Sequence, residues 1–186
     1  MEYLSFKTQT DFRNWLDKNH KISTGIWLRF FKKNSGAASV THDEALDEAI
    51  CYGWIDGQLK TYDDKSWQQK FTPRRTKSIW SKKNAERAEL LIKLKRMKTA
   101  GLKEVNAAKK DGRWDKAYDS PANMSVPEDL LKRLSGNKKA LEFFKTLNKA
   151  NLYAIAWRLQ TAKKPETREK RIIKMIDMLS KGEKFH

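Results

Sequence analysis

The chain has 186 residues, of which 39% are hydrophobic and 11% aromatic, including seven tryptophans. This large apolar content excludes a disordered chain and suffices for the core of one large domain or two small ones. Lysine and arginine number 40 against 23 aspartates and glutamates, a net charge of +17. Such a charge attracts polyanions such as nucleic acid, although lysines scattered over helix faces also serve solubility.

The N-terminal residues show a helix pattern followed by a strand pattern. Residues 10–16 repeat apolar side chains at helical spacing behind a polar cap at Thr10 or Asp11. Residues 26–31 are apolar on both faces of an extended run, which is typical of an interior strand. We therefore expect a short helix and then a central strand of a small sheet.

A capping box and a hairpin pattern follow. Thr41 and Glu44 have the spacing of a capping box, in which each side chain binds the backbone amide of the other residue. The helix that they start is predicted to end at Gly53. Two β-rich runs, 54–62 and 66–71, are separated by a short polar turn, so we predict an antiparallel hairpin.

Beyond the hairpin the apolar spacing becomes helical. Residues 82–98 are predicted to form one long helix, and Thr99 to cap a shorter one. Residues 113–125 lack periodicity and form the best linker candidate, after which Ser125 and Glu128 have the spacing of a second capping box. Further helices are predicted at 126–135, 138–148, 151–162 and 165–181.

These elements predict an α+β fold. Residues 1–115 are expected to form a domain with a small, mostly antiparallel sheet, flanking helices, the hairpin and the long helix. Residues 116–186 are expected to form an all-helical module. The single cysteine, Cys51, excludes an internal disulfide and suits a reducing compartment. No secretion signal or run of about 18 apolar residues is evident, so we predict a cytoplasmic protein without a transmembrane segment.

No catalytic set stands out in the sequence. His42 and Cys51 lie nine residues apart in one predicted helix, which places them on opposite faces at about 100° per residue. No metal-binding motif or glycine-rich phosphate loop is present. The same predicted helix carries an acidic patch, Asp43, Glu44, Asp47 and Glu48. These acids could hold a hard cation, but acids in the first turns of a helix also interact favourably with its dipole. We predict no enzyme, no metal and no cofactor.

The turn between the second hairpin strand and the next helix, residues 73–84, is the strongest ligand candidate. Its arginines and a helix start capped by Ser81 suit a phosphate or carboxylate group. Tryptophans could add a stacking wall, and Asp56 could orient an arginine. Alternatively, Arg74 pairs with Asp56 or Asp63 and the aromatic rings belong to the core. The predicted ligand-binding residues are Arg74, Arg75, Trp54, Asp56, Trp67, Trp80, Ser81 and Asn84.

A second basic face is predicted on the last helix. Lys164, Arg168 and Arg171 recur at helical spacing, and with the preceding helix they imitate a helix-turn-helix with a basic second helix. A solvated basic face on a bundle helix is the alternative interpretation. A nucleic-acid-binding protein would use this face together with the 73–84 corner. The predicted polyanion contacts are Lys82, Lys83, Lys164, Arg168 and Arg171.

Several longer motifs occur along the chain. They are CYGWIDG at 51–57, FTPRR at 71–75 with SIWS at 78–81, RMKTAGL at 96–102, KKDGRW at 109–114 and AKKPETR at 162–168. Together they resemble the bacterial YdeI/OmpD-associated family, also called bacteriocin-protection proteins. The resemblance implies a link to tolerance of bacteriocins or antimicrobial peptides and to an outer-membrane porin. It implies no established reaction, cofactor or catalytic residue.

We therefore expect a non-enzymatic stress or antimicrobial-tolerance protein that acts by binding an anionic ligand or a protein partner. One alternative is a nucleic-acid-binding protein that uses the basic surface, since its net charge is +17. A second alternative is a small-molecule enzyme, in which Asp56, His42 or Cys51 would converge in a pocket.

Overall fold

The computed structural model of the chain describes residues 2–119 and 123–184, so residues 120–122 of the predicted linker lie outside the described residues. The chain divides into two compact units, residues 1–117 and 118–186. The first contains a four-stranded sheet together with helices, and the second contains helices. The predicted α+β fold, with a small sheet in the N-terminal part and a helical C-terminal part, is confirmed.

The elements follow the predicted order, with one addition at the N-terminus. In the first unit they are β1 (Glu2–Leu4), α1 (Gln9–Asn19), β2 (Ile26–Phe31), α2 (His42–Cys51), β3 (Trp54–Asp63), β4 (Ser66–Pro73), α3 (Lys82–Lys93) and α4 (Thr99–Lys110). In the second unit they are α5 (Glu128–Ser135), α6 (Lys138–Lys145), α7 (Lys149–Gln160) and α8 (Pro165–Ser180). The addition is β1, whose three residues are too few to show alternation.

The strands lie in the order β1-β2-β4-β3. Strand β2 pairs parallel with β1 and antiparallel with β4, and β4 pairs antiparallel with β3. Strand β2 is therefore an interior strand, as its two apolar faces predict. The sheet is mostly antiparallel, and the predicted hairpin is present as β3 and β4.

Helices α1 and α2 pack against one face of this sheet. Phe12 and Leu16 of α1 share a core with Leu28, Phe30 and Phe71 of the sheet, and each of the five is at most 2% exposed. Fully burying a side chain of this size contributes about 1.5–3 kcal/mol. The core thus fixes which face of each strand is turned away from the helices.

Helix α4 lies close to the end of α2. The backbone N–H of Lys98 donates to the carbonyl oxygen of Cys51 at 3.1 Å, and Gly101 stands where the two backbones approach each other. A residue without a side chain is needed there, because a Cβ would collide with the end of α2. This contact holds the first turn of α4 beside Tyr52.

Two helix starts differ from the predictions. The cap of α1 is Thr8, whose hydroxyl accepts from the backbone of Asp11 while the Asp11 carboxylate accepts from the backbone of Thr8. Thr10 lies inside the helix, so the predicted cap at Thr10 or Asp11 is wrong. Helix α5 is capped by Pro127, whose side chain makes no capping hydrogen bond. The capping box predicted from Ser125 does not form, because the extended backbone of Pro127 delays the start of the helix.

The long helix predicted over residues 82–98 is also wrong. It ends at Lys93, and Lys95 adopts a left-handed conformation with φ 56°, which a continuous α-helix excludes. The chain re-enters a helix after Lys98, which occupies the N-cap position of α4. Thr99, predicted as that cap, is instead the first residue of the helix.

The second unit is built around a core of its own. Leu130, Leu134, Ile155, Leu159 and Met175 are at most 1% exposed in this cluster. Its helices agree with the predicted ones to within a few residues at each end. Among the helices that the structure describes, none combines the length and apolar character needed to cross a bilayer.

Candidate functional site

The predicted corner at residues 73–84 is tightly packed around Arg74. The Arg74 guanidinium lies 3.5 Å above the Trp80 ring and donates to the carbonyl oxygen of Ile79 at 3.3 Å, and the residue is 8% exposed. Ser81 caps α3 by accepting from the backbone N–H of Asn84 at 3.1 Å. The cap therefore already occupies one amide that the predicted site would offer to an anion, and Arg74 is held in a structural stack.

Arg75, by contrast, is exposed, and its backbone N–H donates to the hydroxyl of Ser78 at 2.9 Å. Lys82 and Lys83 are exposed in the first turn of α3. The corner thus offers surface cations around a buried arginine. This arrangement differs from the predicted site, in which Arg74 and Arg75 together bind one anion.

The three tryptophans predicted as a stacking wall lie in separate environments. Trp54 packs edge-on against Trp15 and donates its indole N–H to the carbonyl oxygen of His20 at 3.2 Å. Trp80 packs against Trp114 at a centroid distance of 4.9 Å. Both Trp54 and Trp80 are 1% exposed. The remaining ring, Trp67, stacks on a core phenylalanine of β2. The predicted wall is therefore wrong, because these rings build the core from different sides.

Asp56 belongs to a polar cluster on the helix-covered face of the hairpin. Its Oδ2 atom accepts from the side-chain amide of Gln69 at 2.8 Å and lies 3.2 Å from Nε2 of His42. The His42 ring in turn lies against the Trp67 ring at 5.9 Å. The expectation that Asp56 orients an arginine, or pairs with Arg74, is wrong, since its partners are an amide and an imidazole. Asp63 of β3 instead binds Arg29 of β2, across the intervening strand β4.

Cys51 does not join His42 and Asp56. It lies at the opposite end of α2, 1% exposed, and burial raises the pKa of its thiol to about 12. At neutral pH the thiol is therefore protonated, whereas the thiolate is the nucleophilic form. Of the three groups that a small-molecule enzyme was expected to bring together, His42 and Asp56 therefore lie close to each other, whereas Cys51 is buried in the core.

We expect the native Cys51 thiol to resist a thiol reagent at pH 8, because it is both buried and protonated. The measurement is the rate of colour formation with a disulfide reagent in native buffer and in denaturant. An Ala38→Cys variant, with a second thiol on an exposed loop position, serves as the reactive control. A native Cys51 that reacts as fast as the thiol at position 38 would contradict the buried placement.

The acidic patch on α2 is bound by arginines. Arg87 pairs with Asp43 at 2.7 Å and with Asp47 at 2.9 Å. The hydrogen bond from Arg87 lowers the pKa of Asp43. Arg96 bridges Asp47 and Glu48, at 3.3 and 2.7 Å. Glu44 closes the capping box. The alternative of a cation site is therefore replaced by a guanidinium network that fastens α3 and the following turn to α2.

The basic face predicted on α8 is largely turned into the second unit. Arg168 donates to both carboxylate oxygens of Asp129 at 2.7 Å and to the carbonyl oxygen of Leu159 at 2.9 Å. Arg171 donates to the carbonyl oxygen of Arg158. The third predicted cation, Lys164, is exposed. The two arginines join α8 to α5 and α7, so the predicted polyanion face is wrong for them.

A pocket of about 570 Å³ opens beside the first turn of α4. We call it the lysine pocket. Its lining combines three ammonium groups, one carboxylate, two aromatic side chains and the start of a helix: Asp17, His20, Lys21, Tyr52, Lys98, Thr99, Ala100 and Lys103. The N-cap residue, Lys98, makes no side-chain capping bond. The first amides of α4 and three cations therefore lie around one cavity, an arrangement that suits an anion.

The carboxylate in the lining of the lysine pocket is already bound. The Tyr52 hydroxyl donates to Asp17 at 2.5 Å, and burial together with this bond raises the pKa of Tyr52. Nδ1 of His20 lies 2.8 Å from the carbonyl oxygen of Leu16, which can only accept, so Nδ1 carries the proton. Three ammonium groups stand against this one carboxylate, so the pocket is cationic.

Sequence reasoning missed the lysine pocket. Lys98, Thr99 and Ala100 belong to the RMKTAGL motif, for which the sequence predicts no ligand. Its partners come from α1 and the end of α2, about 50 to 80 residues earlier in the chain. The only local signal was the pair of basic residues in this motif, Arg96 and Lys98, just before the start of α4.

Two family models match the chain. Residues 4–104, more than half of the chain, match a domain of unknown function, DUF8412. Residues 123–182 match the model described as Bacteriocin-protection, YdeI or OmpD-Associated. The chain belongs to the DUF8412 family and carries a YdeI/OmpD-associated domain. No curated protein and no solved structure matches it.

The two matches divide the motifs on which the resemblance to the YdeI/OmpD-associated family rested, except KKDGRW at 109–114, which lies between them. The AKKPETR motif at 162–168 lies in the YdeI/OmpD-associated part. The motifs at 51–57, 71–75 and 96–102 lie in the DUF8412 part, together with the lysine pocket. The suspected family is therefore confirmed for the helical unit, and the pocket belongs to the domain of unknown function.

Proposed function

We propose that this protein is a non-enzymatic tolerance factor that acts in the cytoplasm by binding a small anionic ligand in the lysine pocket. The observation that carries the proposal is the convergence of Lys21, Lys98 and Lys103 with an uncapped helix start in one cavity. Phosphate and carboxylate groups fit such a site, because lysine ammonium groups and free backbone amides both donate hydrogen bonds to them.

The charge of the protein argues against direct capture of antimicrobial peptides. At +17 it repels cationic peptides through its overall field. Protection from bacteriocins, with which the C-terminal family is associated by name, would then arise indirectly. In this proposal the protein binds an anionic metabolite or phosphorylated signal, and the bound state changes the tolerance of the cell.

The first test is a calorimetric titration with inorganic phosphate, a phosphomonoester and citrate. We expect Lys98→Gln and Lys103→Gln each to weaken binding of the preferred anion about tenfold, since one charge-assisted hydrogen bond contributes about 1.5–3 kcal/mol. Lys110→Gln is the matched control, because Lys110 is exposed at the other end of the same helix.

Equal effects of all three substitutions, or no anion binding by the native protein, would contradict the site. The same variants should then be compared for survival of cells under bacteriocin challenge. Loss of protection by Lys98→Gln with Lys110→Gln intact supports the proposed function. Full protection by a variant that no longer binds the anion would separate the pocket from tolerance and overturn the proposal.

A further inference from the structure

The face of the sheet that is turned away from α1 and α2 carries rings and cations. Along β2 the side chains alternate, so that Leu28 and Phe30 enter the core while Trp27, Arg29 and Phe31 point the other way. The pairing of the strands brings further residues to the same face. We call this surface the open face and define it by the residues that pairing places there and by Tyr62, which contacts Arg29: Tyr3, Trp27, Arg29, Phe31, Lys60, Tyr62, Asp63, Gln68 and Lys70.

Two ring and cation clusters make up the open face. In the first, Tyr3 stacks on Trp27 with centroids 6.5 Å apart and rings inclined by 10°, and the Lys60 ammonium lies 4.7 Å from the Trp27 ring. In the second, the Arg29 guanidinium lies 4.5 Å from the ring of Phe31 and 4.0 Å from that of Tyr62. The rings that β2 contributes to the two clusters, Trp27 and Phe31, lie four residues or about 13 Å apart along the strand.

The outermost rings of both clusters remain accessible. Tyr3 is 66% exposed and Tyr62 is 51% exposed. The Tyr3 ring contacts Trp27 and the Tyr62 ring contacts the Arg29 guanidinium, and the rest of each side chain faces solvent. Each exposed ring can therefore accept one more flat partner.

The exposed rings and cations of the open face favour single-stranded nucleic acid over a duplex as the ligand. Aromatic rings on a strand surface stack the bases of single-stranded nucleic acid, and neighbouring cations bind its phosphates. A duplex hides its base faces and would meet only the cations. Arg29, Lys60 and Lys70 supply three positive charges here, against the carboxylate that Arg29 binds, Asp63. The surplus matches a polyanion.

Gln68 adds a hydrogen-bonding requirement. It pairs with Arg29 on one side and Lys60 on the other, and its Oε1 atom is buried and accepts no hydrogen bond from any described residue. A hydroxyl donor from a bound ligand would satisfy this oxygen, because a buried acceptor without a partner destabilises the protein. RNA offers a 2′-hydroxyl donor at every nucleotide, whereas DNA offers only base donors.

We propose that the open face binds single-stranded RNA, with bases stacked on Tyr3 and Tyr62 and phosphates bound by Lys60 and Lys70, while Arg29 holds the Tyr62 ring in place. This activity is separate from anion binding in the lysine pocket, because the open face uses none of the residues of that pocket. It also differs from the nucleic-acid surface predicted from the sequence, whose arginines on α8 are engaged within the second unit.

The test is a fluorescence-anisotropy titration of the full chain with labelled RNA of about 12 nucleotides, repeated at several salt concentrations. We expect Tyr3→Ala and Tyr62→Ala each to weaken binding about tenfold, the size of a lost base stack. Both side chains are largely exposed, so circular dichroism and melting temperature should stay unchanged.

Lys60→Glu separates a local contact from the overall field of the protein. Its matched control is Lys139→Glu, at an exposed position of the second unit, which gives the same net charge. We expect Lys60→Glu to weaken binding at least tenfold and to reduce the salt slope, with Lys139→Glu close to the native chain. Equal losses in the two variants would mean attraction by net charge alone and would overturn the proposal.

Three further arms decide what occupies the open face. DNA of the same sequence should bind more weakly than RNA, and equal binding would overturn the choice of RNA. A duplex that binds as well as the single strand would overturn base stacking. A dimer in sedimentation that Tyr62→Ala dissociates would assign the face to a second copy of the chain and overturn RNA binding.

The last arm separates this inference from the proposed function. Lys98→Gln should leave RNA binding unchanged, and Tyr62→Ala should leave phosphate binding unchanged. Photocross-linking of RNA containing a halogenated uridine should label peptides with Tyr3, Trp27 or Tyr62. Labelling confined to residues 123–184 would place the RNA elsewhere and contradict the proposal.

Discussion

Replacing Gly101 by alanine should destabilise the N-terminal unit by about 3 kcal/mol. A Cβ at this position would lie 2.3 Å from the carbonyl oxygen of Cys51 and 2.6 Å from that of Ile50. Both atoms are backbone, so the strain can be relieved only by moving α4 away from α2. Helix propensity alone predicts the opposite sign, because alanine is about 1 kcal/mol better than glycine inside a helix.

The free energy of unfolding is measured by urea titration with tryptophan fluorescence, since six of the seven tryptophans lie in residues 1–117. Gly57→Ala is the matched control, because Gly57 lies in the same unit and a methyl group added there would lie 3.6 Å from its nearest neighbour, the carbonyl oxygen of Lys70. A Gly101→Ala variant as stable as the control would refute the close approach of α2 and α4.

Replacing Glu48 by glutamine should cost about 3 kcal/mol at neutral pH. Glu48 is 2% exposed, yet it accepts hydrogen bonds from Gln9, from Arg13 and from Arg96. The amide keeps the shape but removes the negative charge that two guanidinium groups share. Both arginines are partly exposed and can turn toward water, which places the expected cost at the lower end of that for a broken buried ion pair.

The pH dependence of this loss has a defined sign. Burial pushes the pKa of Glu48 upward, but the hydrogen bonds from Arg13 and Arg96 outweigh it, and the pKa is lowered in the folded protein. A carboxyl group with a lowered folded pKa stabilises the fold above its unfolded pKa, and that stabilisation is lost as the pH falls through the folded pKa. The difference between Glu48→Gln and the native chain should therefore be largest near pH 7 and shrink in acid.

Urea titrations at several pH values test this, with Glu86→Gln on the exposed face of α3 as the control. The control makes the same chemical change without a buried ion pair, so its stability should follow the native curve. A constant difference across the pH range would argue that Glu48 acts through packing rather than through its charge.

Much of the fold could be predicted where the signal was local. The capping box of Thr41 and Glu44, the glycine after α2 and the paired β-rich runs each act over a few residues, and each predicted the right element. The interior position of β2 followed from apolar side chains on both of its faces. The end of α3 had no such local signal, because nothing in the sequence near Lys95 indicates that its backbone is left-handed.

The candidate site could not be predicted in the same way. The density of aromatic and basic residues at 51–84 was evident, but the sequence does not say on which side of the sheet a ring lies. Trp54 and Trp80 are buried in the core, and Arg74 with them, while the lysine pocket and the open face gather residues from distant segments. Exposure depends on what packs above a residue, and that is a property of the assembled unit.

By itself the sequence determined the α+β class, the order of the main elements, the basic charge and the family of the helical unit. The class, the order of the elements and the charge follow from periodicity, capping and composition, which act through neighbouring residues or through the chain as a whole, whereas the family followed from a resemblance in motifs. Only the tertiary structure decided which cations are free to bind a ligand. Arg168 and Arg171 are engaged in helix contacts, whereas Lys60 and Lys98 border open surfaces. The physical reason is that an arginine near carbonyl and carboxylate oxygens gains more from those contacts than from solvent, and the fold alone determines which oxygens come near.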